Sequence, residues 1–225
     1  MRVLVVGATG FLGGKIRRNL VAHKNVAVRA MTRKAPVASA NPDVEWVQGD
    51  MMDPASLDAA LQGVDVVVSS ANGYMKETLE ADFAGNKNLV EAAARARVKR
   101  FVFLSIVRCE QASGVPHFHA KKVAEDLLKA SKVPYVIVRA PAFLDQSQDY
   151  MAEGVKVGRF YAVGDRMTKW SYVLTDDLAS CVARAALYPR RHGLTACGNL
   201  VQAHDDRVIF ESSPDNFPVS DIHSL

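Results

Sequence analysis

The sequence lacks the features that mark nucleic-acid-binding and membrane-spanning proteins. Its 225 residues carry a net charge of only +4, and the lysines and arginines are dispersed rather than gathered in a long basic tract. Without such a tract we expect no nucleic-acid partner. No apolar run reaches the roughly 18–20 residues that a membrane span requires, so we expect no membrane association either.

Cysteine is also scarce, and the three cysteines have no metal-ligand spacing. Cys109, Cys181 and Cys197 cannot all pair internally, which is typical of proteins from a reducing compartment. Met1 and Arg2 lead directly into an apolar run, without the regions of a signal peptide. We therefore expect a cytoplasmic protein with no metal site.

What the sequence does have is a glycine-rich turn near its N-terminus. An apolar run stops at Gly7, and Gly10 and Gly13 follow at three-residue steps before a helix-like segment. Glycine lets a phosphate approach the backbone, and a helix N-terminus adds free N–H groups. The order predicts a site for a dinucleotide pyrophosphate, although a loop that merely turns the chain is the alternative. The predicted contacts are Gly7, Thr9, Gly10, Phe11, Leu12 and Gly13.

Apolar, β-rich runs alternate with helical segments along the first 140 residues. The runs are continuous, as expected where helices cover both faces of a sheet. We predict an α/β fold with a doubly wound, Rossmann-like parallel sheet in one domain over residues 1–225, with residues 142–225 contributing a small substrate-side cap. The predicted strands are Arg2–Val6, Val26–Met31, Val44–Gln48, Val64–Ser69, Arg100–Ser105, Tyr135–Arg139 and Arg207–Glu211. The predicted helices are Gly13–Ala22, Pro54–Gln62, Thr78–Arg97, Phe118–Ser131 and Leu178–Tyr188, the last with Thr175 as an oxygen-bearing cap.

The residues after the second predicted strand indicate which dinucleotide binds. NAD sites usually place an acid there for the ribose hydroxyls, whereas this chain has Arg33 and Lys34. The Arg33 guanidinium can bind a 2′-phosphate with a forked pair of charged hydrogen bonds. We predict NADP(H) as the cofactor; the alternative is that both residues are solvated surface charges.

Two further loops at the carboxyl edge of the sheet supply candidate cofactor contacts. Asp50 can accept a hydrogen bond from the adenine amino group or cap the next helix, for which Asp53 is better placed. Small residues after the fourth strand would let the backbone pass close to the cofactor. These candidates are Asp50, Met51, Ser70, Ala71 and Asn72.

These loops belong to a wider set of motifs. The set comprises Gly7-Ala-Thr-Gly10-Phe-Leu-Gly13, Thr32-Arg33, Gly49-Asp50, the Asp82–Val98 stretch, Lys99-Arg100-Phe-Val-Phe-Leu-Ser105, His119-Ala-Lys121-Lys-Val-Ala-Glu125 and Val138-Arg-Ala-Pro141-Ala-Phe143. Together they resemble the atypical short-chain dehydrogenase/reductases, in particular the NmrA-like and isoflavone-reductase-like branch. The resemblance implies NAD(P) binding and either a reductase activity or a redox-sensing role.

The chain departs from the wider family at the catalytic tyrosine. Short-chain dehydrogenases typically use a Tyr-x-x-x-Lys pair, but the residues four before Lys121 and Lys122 are His117 and Phe118. The isoflavone-reductase-like branch is similar, since it relies on the lysine without that tyrosine.

Helical spacing distinguishes the two lysines. Lys121 shares a face with Ala124 and Leu128, whereas Lys122 faces Glu125-Asp126 and is typical of a solvated ion pair. We predict that Lys121 holds the nicotinamide ribose and supports proton transfer. The alternative is a second surface lysine whose stem packs on the helix.

The remaining candidates follow later strands. Ser105 stands where family members often carry a serine that hydrogen-bonds a substrate carbonyl, although serine is common wherever a strand enters a loop. His117 can donate a proton near neutral pH or belong to an ordinary loop, and with His119 it lacks a third metal ligand. Pro141 and Phe143 either flank the nicotinamide or form a strand-ending turn.

Two functional hypotheses result. The first is an NADPH-dependent reductase of a small carbonyl, quinone or enone, with Lys121, Ser105 and His117 as its catalytic residues. The second is a non-catalytic NADP(H)-binding regulator that senses redox state; sugar-nucleotide epimerisation is a third alternative. The expected partners are a small-molecule substrate and either a second copy of the chain or a regulatory protein.

Overall fold

A computed structural model of the chain describes residues 1–34, 42–72, 78–112, 114–156, 158, 171–188 and 209–212. Its strands are β1 Arg2–Val6, β2 Ala27–Thr32, β3 Val44–Gln48, β4 Val66–Ser69, β5 Arg100–Ile106, β6 Tyr135–Ala140, β7 Ala142–Phe143, β8 Tyr172–Val173 and β9 Ile209–Ser212. Its α-helices are α1 Phe11–Val21, α2 Pro54–Ala60, α3 Asn86–Arg95, α4 Pro116–Ala130, α5 Leu144–Lys156 and α6 Thr175–Leu187. A π-helical segment, Thr78–Gly85, leads directly into α3.

Seven of the strands form one sheet in the order β3-β2-β1-β4-β5-β6-β9. The six from β1 to β6 are parallel, and β1 pairs with β2 on one side and β4 on the other, which makes the sheet doubly wound. β9 runs antiparallel beside β6, and β7 and β8 form a separate parallel pair. The predicted Rossmann-like α/β fold is confirmed.

Alternate residues of each central strand pack on opposite layers of helices. Val3 and Val5 face the side covered by α1 and α6, whereas Leu4 and Val6 face the side covered by α2, α3 and α4. All four side chains are buried. Burial on both faces explains why the strands read as continuous apolar runs.

Two buried arginines in the strands bond the C-terminal ends of helices. Arg29 Nη1 donates to the backbone oxygens of Ala60 and Gln62 at 2.8 Å each. Arg100 Nη1 donates to Ala185 O at 3.2 Å and to Ala186 O at 3.1 Å. Each guanidinium thus meets carbonyls that the end of a helix leaves without an intrahelical partner.

Several helix boundaries differ from the sequence prediction. The predicted helix Thr78–Arg97 is divided into the π-helical segment and α3, and α4 begins at Pro116 because proline is compatible with a first turn. The cap predicted at Thr175 is wrong: Leu174 is the N-cap of α6 and makes no side-chain cap hydrogen bond. Thr175 is instead the first helical residue, and its hydroxyl is used elsewhere, as described below.

The C-terminal part of the chain is described in segments. Helix α5 was not predicted, and α6 packs against α1 in the main core. The predicted strand Arg207–Glu211 is found in part as β9, while residues 207 and 208 and Cys197 lie outside the described residues. The assignment of residues 142–225 to a substrate-side cap stays a prediction.

The close packing of the glycine turn predicts that a side chain at Gly13 destabilises the fold. A Cβ built on Gly13 would lie 2.0 Å from Gly7 O, a backbone atom that cannot move away without disturbing β1. Gly13→Ala should therefore lower the free energy of unfolding by at least about 1–3 kcal/mol, the usual cost of overpacking. Gly114→Ala is the control, since nothing lies within 4 Å of its Cβ, and it should change stability by no more than about 1 kcal/mol. Urea denaturation compares the two, and equal stability of both variants would contradict the prediction.

Candidate cofactor cleft and active site

A cleft of about 1430 Å³ opens at the carboxyl edge of the parallel strands, where the loops after β1 to β6 meet. Ligands of open α/β sheets bind at this edge, where the winding direction reverses. All but one of the sequence-predicted residues line it: Gly7, Thr9, Gly10, Phe11, Leu12, Gly13, Arg33, Asp50, Met51, Ser70, Ala71, Asn72, Ser105, His117, Lys121, Pro141 and Phe143. Lys34 is the exception; it is exposed outside the lining, and its amide donates to Thr32 Oγ1 at 3.3 Å.

The turn after β1 has the geometry that a dinucleotide pyrophosphate needs. Gly7 has φ +81°, and the Gly10 amide donates to Gly7 O at 2.9 Å, which closes the turn. A Cβ on Gly7 would lie 2.8 Å from Ala71 N, so only glycine lets β1 and the β4 loop come this close. Helix α1 begins at once after Gly10, and its first residues line the cleft. The residues present fit the cofactor pyrophosphate.

The loops after β2 and β3 form the other end of the cleft. Thr32 and Arg33 line it at the end of β2, and no acid stands at that position. Asp53 caps α2 by accepting from Ala55 N at 3.1 Å, so the alternative role of Asp50 as that cap is wrong. Asp50 is half-buried and lines the cleft, and its Oδ1 accepts from Met52 N at 2.9 Å.

Lys121 is buried, as its place on the apolar face of α4 predicts, and still lines the cleft. Its Nζ donates to Ala71 O at 3.1 Å and lies 3.3 Å from Oδ1 of the fully buried Asp82. The ring of Phe103 lies 5.2 Å from the same nitrogen, within cation–π range. The alternative reading of Lys121 as a surface lysine is therefore wrong.

Lys122 differs from its neighbour as expected. Its Nζ contacts both carboxylate oxygens of Asp126 at 2.5 Å, one turn along the exposed side of α4. Glu125, which the helical spacing also placed beside Lys122, is instead completely buried. It lies one turn after Lys121 on the core-facing side of the helix.

The completely buried Glu125 forms a second ion pair, with the partly buried Arg139 of β6. Its carboxylate receives Arg139 Nε at 2.9 Å and Nη2 at 2.5 Å, a two-pronged pairing that fixes both groups. Burial raises the pKa of Glu125, but hydrogen bonds from Arg139 and Ser105 outweigh it, so that the pKa is lowered overall. The pairing in turn raises the pKa of Arg139.

Ser105 and Cys109 lie next to this pair. Ser105 is buried and hydrogen-bonds the Glu125 carboxylate, and its Oγ lies 3.9 Å from Cys109 Sγ. Burial, with Glu125 nearby, raises the pKa of the Cys109 thiol to about 11. The thiol is therefore protonated near neutral pH and is a poor nucleophile.

His117, Pro141 and Phe143 line the part of the cleft formed by the start of α4 and the residues after β6. His117 is exposed on the first turn of α4, and its ring meets the ring of Phe118 edge-on at 4.8 Å. Gln146 on α5 and the half-buried Phe118 complete this wall. The wall combines aromatic surface with one titratable imidazole.

Lys15 connects the cofactor turn to the C-terminal helices, and sequence reasoning did not identify this connection. Its Nζ lies 3.0 Å from Asp145 Oδ2, 2.7 Å from Thr175 Oγ1 and 2.9 Å from Asp176 Oδ2. The same nitrogen is 4.7 Å from the centre of the Phe11 ring. Burial opposes the charge, but both carboxylates outweigh it and raise the pKa of Lys15. The network ties α1 to the starts of α5 and α6.

Three findings concern the predictions about metal binding, membrane association and cellular compartment. No three His, Cys, Asp or Glu side chains gather as a metal site in the described part of the chain, and none of the helices described there is both long and apolar enough to cross a bilayer. Cys109 is a free thiol, whereas Cys181 is disulfide-bonded. The cysteines thus give no support to the expected reducing compartment.

Comparison with protein families gives a match over most of the chain. A family model described as NAD(P)H-binding matches residues 7–187. Among curated proteins, the photosystem II assembly factor Ycf39 of Synechocystis sp. is 30% identical over 194 residues, which are 82% of this chain and 58% of that protein. The ceramide reductase of Caulobacter vibrioides is 33% identical over 145 residues, 62% of this chain and 45% of that protein.

Solved structures give the same fold with bound cofactor. Triphenylmethane reductase of Citrobacter sp., solved in complex with NADP(H), aligns with a TM-score of 0.69 and 25% identity over 81% of this chain and 64% of that chain. The chain spans 58–62% of the length of the Ycf39 proteins of Synechocystis sp., Cyanophora paradoxa and Trieres chinensis.

The Arg139–Glu125 pair predicts an acid-sensitive part of the stability. Because the folded pKa of Glu125 is lower than its ordinary value of 4.5, the pair stabilises the fold above that pH, and this contribution is lost as the pH falls through the folded pKa. Glu125→Gln should cost up to about 3–5 kcal/mol near pH 7, because Arg139 loses the buried carboxylate that receives two of its hydrogen bonds. The variant should also lose less stability than the parent between about pH 5 and pH 3.

Urea denaturation across this pH range measures both effects. Glu153→Gln is the matched control, since it breaks the exposed pair of Glu153 with Lys156 and should cost less than about 1 kcal/mol. A Glu125→Gln protein with the stability of Glu153→Gln would contradict the prediction.

Proposed function

The chain belongs to the NAD(P)H-binding family whose model covers residues 7–187, in the NmrA-like branch of the atypical short-chain dehydrogenase/reductases, and we propose that it is an NADPH-dependent reductase of a small carbonyl, quinone or enone. One observation carries the proposal. The buried ammonium of Lys121 forms part of the cleft wall, in a cleft that Ser105 and His117 also line. The reductases of Citrobacter and Caulobacter with which it shares sequence support a reductase rather than a purely structural role.

The charges at the adenosine end favour NADP(H) over NAD(H). Arg33 lines the cleft after β2, and the acid that would pair with a ribose 2′-hydroxyl is absent from that position. A guanidinium binds a 2′-phosphate through two charged hydrogen bonds, whereas an acid would repel it. We assign the 2′-phosphate to Arg33 and leave Lys34 out of the site.

In the proposed reaction, NADPH supplies the hydride. Lys121, whose Nζ donates to the Ala71 carbonyl, would hold the nicotinamide ribose. The Ser105 hydroxyl is buried and bonded to Glu125, whereas His117 is exposed on the cleft wall, so we assign the proton transfer to His117. The protonated His117 imidazolium would give its proton to the substrate oxygen as hydride reaches the substrate carbon, which leaves a neutral imidazole. Phe118 and Phe143, both half-buried in the cleft wall, offer apolar contact to a planar substrate.

Arg33→Ala tests the cofactor assignment. The parent should bind NADPH more tightly than NADH, and the variant should lose most of this preference, because removing a charged hydrogen-bond partner costs about 1.5–3 kcal/mol, roughly 10- to 100-fold in affinity. Fluorescence titration with both cofactors measures the effect, and Lys34→Ala is the neighbouring control expected to change little. Equal loss of NADPH and NADH affinity in Arg33→Ala would contradict a 2′-phosphate role.

Lys121→Ala tests catalysis. Oxidation of NADPH with a panel of quinones and enones should fall by about 100-fold or more, within the usual contribution of a positioned catalytic group. Lys122→Ala, on the same helix but in an exposed pair with Asp126, should keep full turnover. Thermal unfolding accompanies both variants, because Lys121→Ala leaves Asp82 as a buried charge without its partner. A folded Lys121→Ala protein with parental turnover would remove Lys121 from the mechanism.

A second candidate function is an NADP(H)-binding regulator or assembly factor. It is favoured by the name of the Synechocystis relative, a photosystem II assembly factor, and by the absence of the catalytic tyrosine before Lys121. Tight NADPH binding, no turnover with any member of the panel and a protein partner retained only with one redox form of the cofactor would favour this candidate over the reductase.

A further inference from the structure

Asp82 is a buried carboxylate that no part of the proposed mechanism uses. It lies in the π-helical segment with an exposed fraction of 0%. Neither of its carboxylate oxygens has a hydrogen-bond donor among the described residues. Buried carboxylates are normally paired or hydrogen-bonded, because an isolated one is costly. The one charge beside it in the described structure is Lys121 Nζ, at 3.3 Å.

The backbone around Asp82 is held to the edge of the cleft. Asn86, the first residue of α3, donates from Nδ2 to Asp82 O at 2.9 Å, and its Oδ1 lies 3.3 Å from Ser69 Oγ at the end of β4. Single turns of π-helix are rare and frequently occur at functional sites. Here the π-helical segment, which leads into α3, places Asp82 beside Lys121 of α4.

Lys121 is therefore held from three sides. The Ala71 carbonyl comes from the loop after β4, the Asp82 carboxylate from the π-helical segment and the Phe103 ring from β5. An ammonium group has three hydrogens to donate. The Ala71 oxygen takes one of them, the Asp82 carboxylate contributes an ion-pair contact rather than a hydrogen bond, and Lys121 also lines the cleft, where a bound cofactor could accept from Nζ.

We propose that Asp82 is a positioning residue, which fixes the Lys121 ammonium at the cleft wall so that it can donate to the bound cofactor. The proposal rests on the role assigned above to Lys121. A lysine has a flexible four-carbon stem and a strongly hydrated charge. The buried carboxylate holds that charge where water is excluded and limits the positions of Nζ. Asp82 itself does not touch the cofactor.

The same helix supplies a matched control. Lys122 and Asp126 form an ion pair of the same chemical type on the exposed side of α4. If an acid partner mattered only for the stability of α4, loss of Asp126 and loss of Asp82 would both leave NADPH affinity unchanged in folded protein. If Asp82 positions Lys121, the effect of its loss on NADPH affinity depends on Lys121 being present.

The test is a double-mutant cycle on NADPH binding, followed by cofactor fluorescence, which needs no substrate. The proteins are the parent, Asp82→Asn, Lys121→Met, the double variant and Asp126→Asn, each with its unfolding temperature. Asp82→Asn should weaken NADPH binding about tenfold in the parent and less than about twofold in the Lys121→Met background, since residues in direct contact are energetically coupled. Asp126→Asn should bind like the parent.

Each other outcome has a defined meaning. Parental affinity in Asp82→Asn, or an equal loss in both backgrounds, overturns the positioning role. Parental affinity in Lys121→Met refutes instead the cofactor role of Lys121 on which the proposal rests. If Asp82→Asn does not fold, Asp82→Glu decides, because it keeps the carboxylate: affinity within about threefold of the parent supports the proposal, and a larger loss overturns it.

Discussion

The shape of the cleft depends on the close contact between the turn after β1 and the first turn of α1. A Cβ on Gly13 would lie 2.0 Å from Gly7 O, and a Cβ on Gly7 would lie 2.8 Å from Ala71 N in the β4 loop, so neither position has room for a side chain. Three elements thus meet through backbone alone. This contact brings the N-terminus of α1 to the carboxyl edge of the central strands. A wider separation would remove the amide groups of α1 from the place where phosphates bind.

The far side of the cleft is organised by the buried face of α4. Lys121 and Glu125 lie one turn apart on that face, and each is paired with a charge on another element, Asp82 and Arg139. The buried face of α4 thus carries one positive and one negative side chain. The pairs link α4 to the π-helical segment and to β6, the elements that flank Ser105.

Topology explains why so much of the cleft could be predicted from the sequence. Parallel strands end at a common edge, so residues directly after each predicted strand, such as Arg33, Asp50 and Ser70, had to lie near one another. Asp82 and Arg139 were missed as site residues because their partners lie 39 and 14 positions away in the sequence. One signal was available: Glu125 follows Lys121 by four residues on a face that also carries Ala124 and Leu128. The Lys15 network depends on contacts across 130 residues or more, which local periodicity does not encode.

The buried charges also bear on why such a site exists. A well-packed apolar pair of similar volume often stabilises a protein as well as a buried ion pair, or better. Stability is therefore a poor reason to place Asp82, Lys121, Glu125 and Arg139 inside this fold. Lys121 forms part of the cleft wall and is paired with Asp82, and Glu125 is bonded to Ser105, which also lines the cleft. Charged groups whose pKa the fold shifts, as it does for Glu125 and Arg139, are typical of functional sites. A protein that used the sheet only as a scaffold for partner contacts would have no need of these buried charges. They lie where the nicotinamide end of the cofactor is proposed to bind.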